Sequence, residues 1–364
     1  MIEEQHLITS SQFFALIVSS VLAGNFILLP RYFLTLGLDY IWPLILSALY
    51  PVLLIFFISL MNRWFAGQSF VQYGQKLIGV LGMRIFSLFY LVWGIFEMSN
   101  ILFFFSQSLG SFVLKNISIF VILFMVLLLC SFLASYGFKI IGRVNELLFY
   151  LLLPVPFFML AILPDIEFKY LVPIFQASWG DIWQKGAVML LLYSGLDSVL
   201  IYSGFVQQQK SVLKAGFYSV VSLFIMYGLV FVFTLGFFGP GAIKFYTWPI
   251  LSMFNAVRIP FFERLESLFT FIWVILVYRA VGIRIFCISY LVEQSFGLKK
   301  RIWVIGAIFG SILAVYLFLA FNDFLLYNFI SLGWQSALLL FNLSLIFLFW
   351  LLALSRRGKG EKVG

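Results

Sequence analysis

The chain is a series of long apolar runs separated by short polar connectors. Ten of these runs are close to the roughly 20 residues that a helix needs to cross a bilayer, so the pattern predicts ten transmembrane helices. No low-complexity stretch or soluble region interrupts them, and residues 1–364 are expected to form one transmembrane domain. The predicted spans are residues 10–35, 41–62, 84–112, 117–136, 142–163, 185–206, 212–238, 261–292, 302–321 and 325–354.

The composition supports this all-helical membrane fold. Hydrophobic residues make up 63% of the chain and charged residues 10%, whereas a soluble domain carries about 25% charged residues. The net charge of +9 could indicate nucleic-acid binding, but the basic residues lie in the connectors, where they determine membrane topology. With a single histidine, no nucleophile–base pair and no metal-ligand spacing, the sequence predicts no enzyme, no metal site and no cofactor.

The basic residues also predict the orientation in the membrane. With the N-terminus placed in the cytoplasm, 14 Lys and Arg residues fall on the inner side and six on the outer side. Because cytoplasmic loops carry the excess of Lys and Arg, both termini are expected to be cytoplasmic.

Ten spans divide into two groups of five, which predicts an inverted repeat. An odd number of spans reverses the direction of the second half, so residues 10–163 and 185–354 would have opposite topologies. Inverted repeats of this kind build many secondary transporters, whose broken helices hold the substrate near the middle of the membrane. The first and sixth spans are therefore expected to be interrupted.

Both spans contain residues suited to a break. Gly24 and Asn25 interrupt the first span, and Ser194, Gly195 and Asp197 interrupt the sixth. Gly and Asn tolerate the left-handed backbone that a break requires. Isolated glycines are common in transmembrane helices, but two interruptions at equivalent places in the two halves favour broken helices.

Two carboxylates are predicted near the middle of the bilayer. Glu97 is the only charged residue between Arg84 and Lys115, and Asp197 is the only one between Lys185 and Lys210. No Lys or Arg lies at a similar depth in the first seven spans, so each acid is expected to be protonated, to carry a proton, or to bind the ammonium group of a ligand. A permanently protonated acid in a helix–helix hydrogen bond is the alternative.

The eighth span carries more charge than the others. Glu266 and Arg284 are 18 residues apart, about 27 Å along a helix, which suggests that they mark the two membrane boundaries. Arg279 is then within reach of the interface by snorkelling. These charges are expected to be mainly anchoring residues at the membrane edge, with a functional polar face leading inward as the alternative.

Several motifs resemble those of the spore germinant receptor B subunits, the GerAB-type proteins. The segment TWPILSMFNAVRIPFFERLESLF (247–269) is similar to the region that leads into their eighth span. Weaker similarities are Leu-Pro at the end of the first span, a glutamate in the third, Gly-x-acid in the sixth and a proline-rich loop after the fifth.

The resemblance implies a LeuT-like fold of the amino acid–polyamine–organocation transporter superfamily. It also implies a membrane subunit of the bacterial spore inner membrane that acts beside A-type and C-type receptor subunits and senses a small germinant, usually an amino acid. The ligand site would lie between the first and sixth spans, with the third and eighth beside it. Carried over by position, the implied substrate-binding residues are Ala23, Gly24, Asn25, Glu97, Ser194, Gly195, Asp197 and Thr270.

One departure from the family pattern concerns the ligand. Members that sense amino acids usually carry Gly-x-Gly in the first span, where this chain has Ala23, Gly24 and Asn25. A ligand that makes an additional polar contact with Asn25 would fit this sequence as well as a plain amino acid. A proton-coupled amino-acid permease is the alternative function, and an ion or water channel is a less favoured one.

Overall fold

The computed structural model describes residues 6–23, 25–112, 116–152, 159–160, 162–172, 174–256, 265–320 and 332–357. Helices dominate these residues, and the β-type pairing among them is an isolated bridge between Ile8 and Val206. The α-helices are α1 (Ser10–Val21), α2 (Asn25–Leu28), α3 (Pro30–Phe33), α4 (Ile41–Trp64), α5 (Phe70–Phe112), α6 (Ile119–Ser135), α7 (Phe138–Leu152), α8 (Trp179–Met189), α9 (Val199–Tyr202), α10 (Val212–Ala242), α11 (Pro249–Ala256), α12 (Leu265–Phe296), α13 (Arg301–Ala320) and α14 (Leu332–Arg357).

Helix α12 is the central element of the bundle. It packs against α1, α5, α6 and α13. In its span, 72% of the apolar window is buried, compared with 28% in the spans of α5 and α13. A helix surrounded by protein can carry polar side chains that a lipid-facing helix cannot, because they find partners other than hydrocarbon. The position of α12 therefore makes its charged residues candidates for the site.

The predicted interruption of the first span is present. α1 begins at a capping box, in which the Thr9 side chain accepts from the N–H of Gln12 and the Gln12 side chain accepts from the N–H of Thr9. It ends at Val21, and helical structure resumes at Asn25. Gly24, which was predicted to lie in this break, falls outside the described residues.

The sixth span is also broken, as predicted. α8 is followed by a 3-10 turn, Leu190–Tyr193. Gly195 then adopts the left-handed backbone conformation, with φ of 92°. The two halves, Trp179–Tyr193 and Leu196–Phe205, are bent by 52° relative to each other. Two broken helices are the feature that distinguishes this architecture from a simple helical bundle.

Several of the described helices are long and apolar enough to cross a membrane. By length and composition, the described residues contain six helices able to cross a membrane, or up to seven if the bent pair counts as one span. Two shorter apolar helices, Ser10–Val21 and Ile119–Ser135, add to these. The count of ten remains a prediction.

The N-terminal segment is attached to the chain that follows the second break. The N–H of Ile8 donates to the carbonyl of Phe205 at 3.0 Å, and the N–H of Gln207 donates to the carbonyl of Ile8 at 3.0 Å. The ring of His6 lies nearby, stacked on Phe205, with Nδ1 accepting from the N–H of Phe138 at 3.2 Å. These contacts connect the start of the first half to the second half.

Candidate functional site

A buried arginine lies between two buried carboxylates at the centre of the bundle. Arg284 of α12 is 3% exposed. Its NH1 lies 2.7 Å from Oδ1 of Asp197, which follows the second helix break, and its NH2 forms an ion pair with Oε2 of Glu97 on α5. A single guanidinium group thus joins three separate elements. Its planar shape suits this role because its N–H groups point in several fixed directions.

Neutral groups complete the environment of Arg284. NH1 also donates to the hydroxyl of Tyr90 at 2.7 Å and to Oγ of Ser198 at 2.8 Å. The guanidinium carbon lies 4.8 Å from the centre of the Tyr90 ring, within range of a cation–π interaction. If both acids are ionised, two negative charges face one positive charge, and the cluster retains one net negative charge.

This cluster corrects two expectations from the sequence. The acids were expected to lack a cation, and the charges of the eighth span were expected to lie at the membrane edge. Both interpretations were wrong: Arg284 contacts both acids, and Arg279 is 0% exposed. α12 continues for 12 residues beyond Arg284, to Phe296, which is about 18 Å of helix. Arg284 is therefore deep within the helix. The Glu266 side chain lies outside the described part of the chain.

The second helix break is held close to α1. A Cβ atom on Gly195 would lie 2.3 Å from the carbonyl oxygen of Ser20, so only glycine fits at this position and at its positive φ. The break directs its neighbours to different partners. Oγ of Ser194 donates to Oε1 of Glu97, while Asp197 contacts Arg284.

The first break is tied to the second break and to α12. Nδ2 of Asn25 donates to the carbonyl of Leu191 at 3.0 Å, and Nε1 of Trp273 donates to the carbonyl of Ala23 at 2.6 Å. An interrupted helix exposes backbone carbonyls that need donors inside a membrane. Side chains of Asn25 and Trp273 supply them here, and the two breaks are consequently connected by a direct hydrogen bond.

A small pocket lies between the two breaks. The space open to a water-sized molecule is about 10 Å³, which is room for about one water. Its lining combines one carboxylate, one hydroxyl and three amides with apolar and aromatic side chains. The lining residues are Asn25, Trp93, Phe96, Glu97, Asn100, Ile101, Leu191, Ser194, Gln335 and Leu339.

Most of the residues predicted for the site lie together in this region. Those brought together at the two breaks and the charge cluster are Ala23, Asn25, Glu97, Ser194, Gly195 and Asp197. Thr270 is buried but lies 14 residues before Arg284, about 21 Å along α12. Its role remains a prediction. The part of the chain that the structure describes contains no cluster of three His, Cys, Asp or Glu residues that could hold a metal ion.

Sequence reasoning missed three of the residues that shape the site: Arg284, Tyr90 and Trp273. The signal for Arg284 was present, because an arginine deep in an apolar run is expensive and needs a partner. Which acid it meets depends on how α12 packs against α5 and the second break, which a helical pattern does not show. Tyr90 and Trp273 resemble ordinary packing aromatics in the sequence.

Comparison with known proteins agrees with this architecture. A family model described as "Spore germination protein" matches residues 7–324. GerQB of Bacillus cereus is 23% identical over 175 residues, and this match spans about half of each protein, 48% of the chain and 48% of GerQB. Spore germination protein B2 of Bacillus subtilis (strain 168) is 22% identical over 75% of each protein. YndE of the same organism is 23% identical over 85% of the chain and 86% of YndE.

Solved transporter structures share the fold. A Na⁺-coupled sialic acid symporter in a substrate-bound, outward-open state has a TM-score of 0.67 at 15% identity, covering 86% of this chain and 75% of the symporter. MhsT in complex with L-phenylalanine has a TM-score of 0.58 at 14% identity, covering 86% of this chain and 80% of MhsT. Identities this low establish the fold alone, which is that of LeuT-type transporters. The family match over residues 7–324 shows that the chain belongs to the spore germination protein family.

Proposed function

We propose that the protein is the germinant-sensing membrane subunit of a spore germination receptor. It binds a small nutrient at the two helix breaks and signals to A-type and C-type partner subunits. The observation that carries the proposal is the excess of negative charge around Arg284, where two carboxylates share one cation beside the pocket. The matching ligand supplies a positive group, and an amino acid is the simplest such nutrient.

The pocket lining indicates how an amino acid would be oriented. Its ammonium group would bind Glu97, where Ser194 already donates a hydrogen bond to the carboxylate. Nδ2 of Asn100 donates to the carbonyl of Phe96 and Nε2 of Gln335 donates to Oδ1 of Asn100, so each amide would offer its second N–H to the ligand carboxylate. Trp93 offers an apolar wall. Nδ2 of Asn25 uses one of its two hydrogens in the bond to Leu191, so its second N–H and its carbonyl oxygen have no partner among the described residues. These groups favour a ligand that makes an additional polar contact.

Binding of this ligand requires a conformational change. Space for about one water does not hold an amino acid, so the two breaks would have to separate on binding. A ligand shifts a two-state equilibrium by its difference in affinity for the two states. Widening the pocket would move α2 and the second break relative to α5 and α14, which line the rest of it, and this movement is the signal passed to the partner subunits. The protein would act in the spore inner membrane with both termini cytoplasmic.

The test compares matched carboxylate variants in spores that carry this receptor. Glu97→Gln and Asp197→Asn are expected to raise the germinant concentration for half-maximal germination by at least about tenfold, since a buried ionic contact contributes more than 1.4 kcal/mol. Asp165→Asn removes a carboxylate from an exposed turn and serves as the control, with an unchanged response expected. Membrane levels of each variant are measured by immunoblot. A normal dose–response in both site variants at normal levels would refute the site.

A proton-coupled amino-acid permease is the second candidate. Oδ2 of Asp197 is buried without a hydrogen-bond partner among the described atoms, so a proton could bind there. Labelled amino acids and an imposed pH gradient across proteoliposomes separate the two functions. Accumulation that collapses with the gradient favours the permease, whereas binding without accumulation favours the sensor.

A further inference from the structure

A second concave region lies on the outer surface of the bundle, away from the helix breaks. It is a groove of about 500 Å³ between α4 and α10. Seven of its lining residues are apolar and three are basic. They are Val52, Leu53, Ile55, Phe56, Leu213, Phe217 and Val220, followed by Arg63, Lys210 and Lys214.

The floor of the groove is set by a close helix contact. A Cβ atom on Gly216 of α10 would lie 2.6 Å from Cγ2 of Ile55 on α4, so the two helices touch there. Ile55 is 2% exposed and forms part of the floor, whereas Phe56 and Phe217 on the walls are 44% and 50% exposed. The groove is therefore open on the side that faces away from the core of the bundle. Its exposed apolar walls are suited to contact with lipid.

The basic residues are confined to one end of the groove. Arg63 lies in the last turn of α4, Lys214 in the first turn of α10, and Lys210 in the turn before it. The distribution of Lys and Arg along the sequence predicts that this end is cytoplasmic. All three side chains are exposed, and none pairs with a carboxylate within the described ranges.

The surrounding sequence offers these cations no counter-charge. There is no Asp or Glu from residue 40 to residue 96, nor from residue 198 to residue 262. The two segments that build the groove therefore carry only positive charge. An unbalanced basic cluster beside an apolar groove is complementary to a molecule with one anionic end and a long apolar remainder.

We propose that this groove binds an anionic phospholipid. The phosphate lies among Arg63, Lys210 and Lys214, and an acyl chain follows the apolar wall toward Val52. Arg63 and Val52 are 11 residues apart, about 16 Å along α4. This matches half of the roughly 30 Å hydrocarbon core, which is the depth that one leaflet provides. Basic pockets between transmembrane helices on the cytoplasmic side are suited to anionic headgroups. The proposal concerns a site separate from the germinant pocket and does not depend on the ligand there.

The experiment uses the full-length protein purified in a neutral detergent. Phosphatidylglycerol, phosphatidylcholine or inorganic phosphate is added at matched ionic strength. Thermal unfolding and native mass spectrometry report stabilisation and retained lipid. Phosphatidylglycerol is expected to raise the unfolding midpoint and to remain bound, phosphatidylcholine to do so more weakly, and phosphate to have no effect. Equal effects of the two lipids, or stabilisation by phosphate alone, would overturn the proposal.

Two groups of variants locate the effect. Arg63→Gln/Lys210→Gln/Lys214→Gln is expected to weaken phosphatidylglycerol binding about 100-fold, because three basic residues contribute together. Arg143→Gln/Lys299→Gln/Lys300→Gln removes the same charge from exposed positions on the same predicted side and is expected to bind normally. Equal loss in both would indicate a net-charge effect and refute the site.

A third variant tests the apolar part without changing the charge. Val52→Trp places a large side chain in the groove at a partly exposed position, so folding is expected to be retained. It is expected to lower the retention of phosphatidylglycerol at least about tenfold, since the acyl chain loses its apolar contacts. Unchanged retention would show that no acyl chain occupies the groove.

Discussion

Two buried arginines on one helix have their charges stabilised by different kinds of partner. Arg279 and Arg284 lie five residues apart on α12, and both are buried, at 0% and 3% exposure. Arg284 is surrounded by two carboxylates, a phenol and a hydroxyl. Arg279 has no carboxylate partner among the described residues and is held by neutral oxygen atoms instead.

The partners of Arg279 come from two neighbouring helices. Its Nε donates to Oδ1 of Asn145 at 3.1 Å, and its NH2 donates to the carbonyl of Asn145 at 3.0 Å. NH2 also donates to Oγ of Ser19 and, at 3.4 Å, to the carbonyl of Ala15 on α1. Carbonyl dipoles stabilise this cation without neutralising it.

The two arginines connect α12 to different parts of the bundle. Five residues rotate the side-chain direction by about 140°, so the two arginines face opposite parts of the bundle. Arg279 fastens α12 to α7 and to the part of α1 that precedes the first break. Arg284 fastens it to α5 and to the broken helix, with acids whose charge a ligand or a proton can change. Under the proposed function, the second arrangement is the one that responds to a ligand.

The largest expected effect is that of Arg284→Met. Removing the cation leaves Glu97 and Asp197 buried without a counter-charge, at a cost of about 3–5 kcal/mol in the free energy of unfolding. Thermal unfolding of the purified protein and its level in the membrane measure this loss. The triple variant Arg284→Met/Glu97→Gln/Asp197→Asn is expected to recover part of it, because no buried charge is left uncompensated. A single variant as stable as the unmodified protein would contradict the ion-pair assignment.

The next effect concerns the broken helix that presents Asp197 to Arg284. Gly195→Ala introduces a Cβ 2.3 Å from the carbonyl of Ser20 at a positive φ, at a cost of about 2–3 kcal/mol in stability. Ligand response should fall with it, whereas the contacts of Arg279 should be unaffected.

The matched control for this glycine is Gly228→Ala in α10. A Cβ there meets no atom within 4 Å and requires no positive φ, so stability should be unchanged or higher by up to about 1 kcal/mol. Equal unfolding midpoints for the two alanine variants would show that the close approach at Gly195 is unimportant.

Arg279→Gln tests whether Arg279 stabilises the bundle without affecting the response to the ligand. The carbonyls of Ala15 and Asn145 lose a donor, and the free energy of unfolding should fall by about 1–3 kcal/mol. The germinant concentration for half-maximal response should stay within about twofold of normal, because neither Arg279 nor its partners Asn145, Ala15 and Ser19 line the pocket. A response shifted as far as in Glu97→Gln would remove the distinction between the two arginines.

The smallest effect is expected for Trp273→Phe. The ring volume is largely kept while the hydrogen bond to the Ala23 carbonyl is lost, at a cost of about 1 kcal/mol. Thermal unfolding measures it, with Trp303→Phe as the control at an exposed indole. A loss as large as that of Arg284→Met would indicate that Trp273 does more than satisfy one carbonyl.

The sequence predicted the class of fold and both helix breaks, because apolar length and the placement of glycine and polar residues are local signals. It also located both buried acids. It failed at Arg284, since the partner of a buried charge depends on the packing of distant helices. The expectation of an anchoring arginine followed from placing the membrane boundary at Arg284, although the predicted span continued to residue 292 and the helix runs to Phe296.

The pairing of Ile8 with the strand-like segment at Val206 has a mechanical consequence. α1 runs rigidly from Ser10 to Val21, about 18 Å of helix, directly from this pairing to the first break. Displacing the peptide around Ile8 would shift the start of α1. Because the helix is rigid, its other end, where the carbonyl of Ser20 approaches Gly195, would shift as well. A partner that bound the N-terminal segment from outside the bundle would therefore be able to displace both helix breaks.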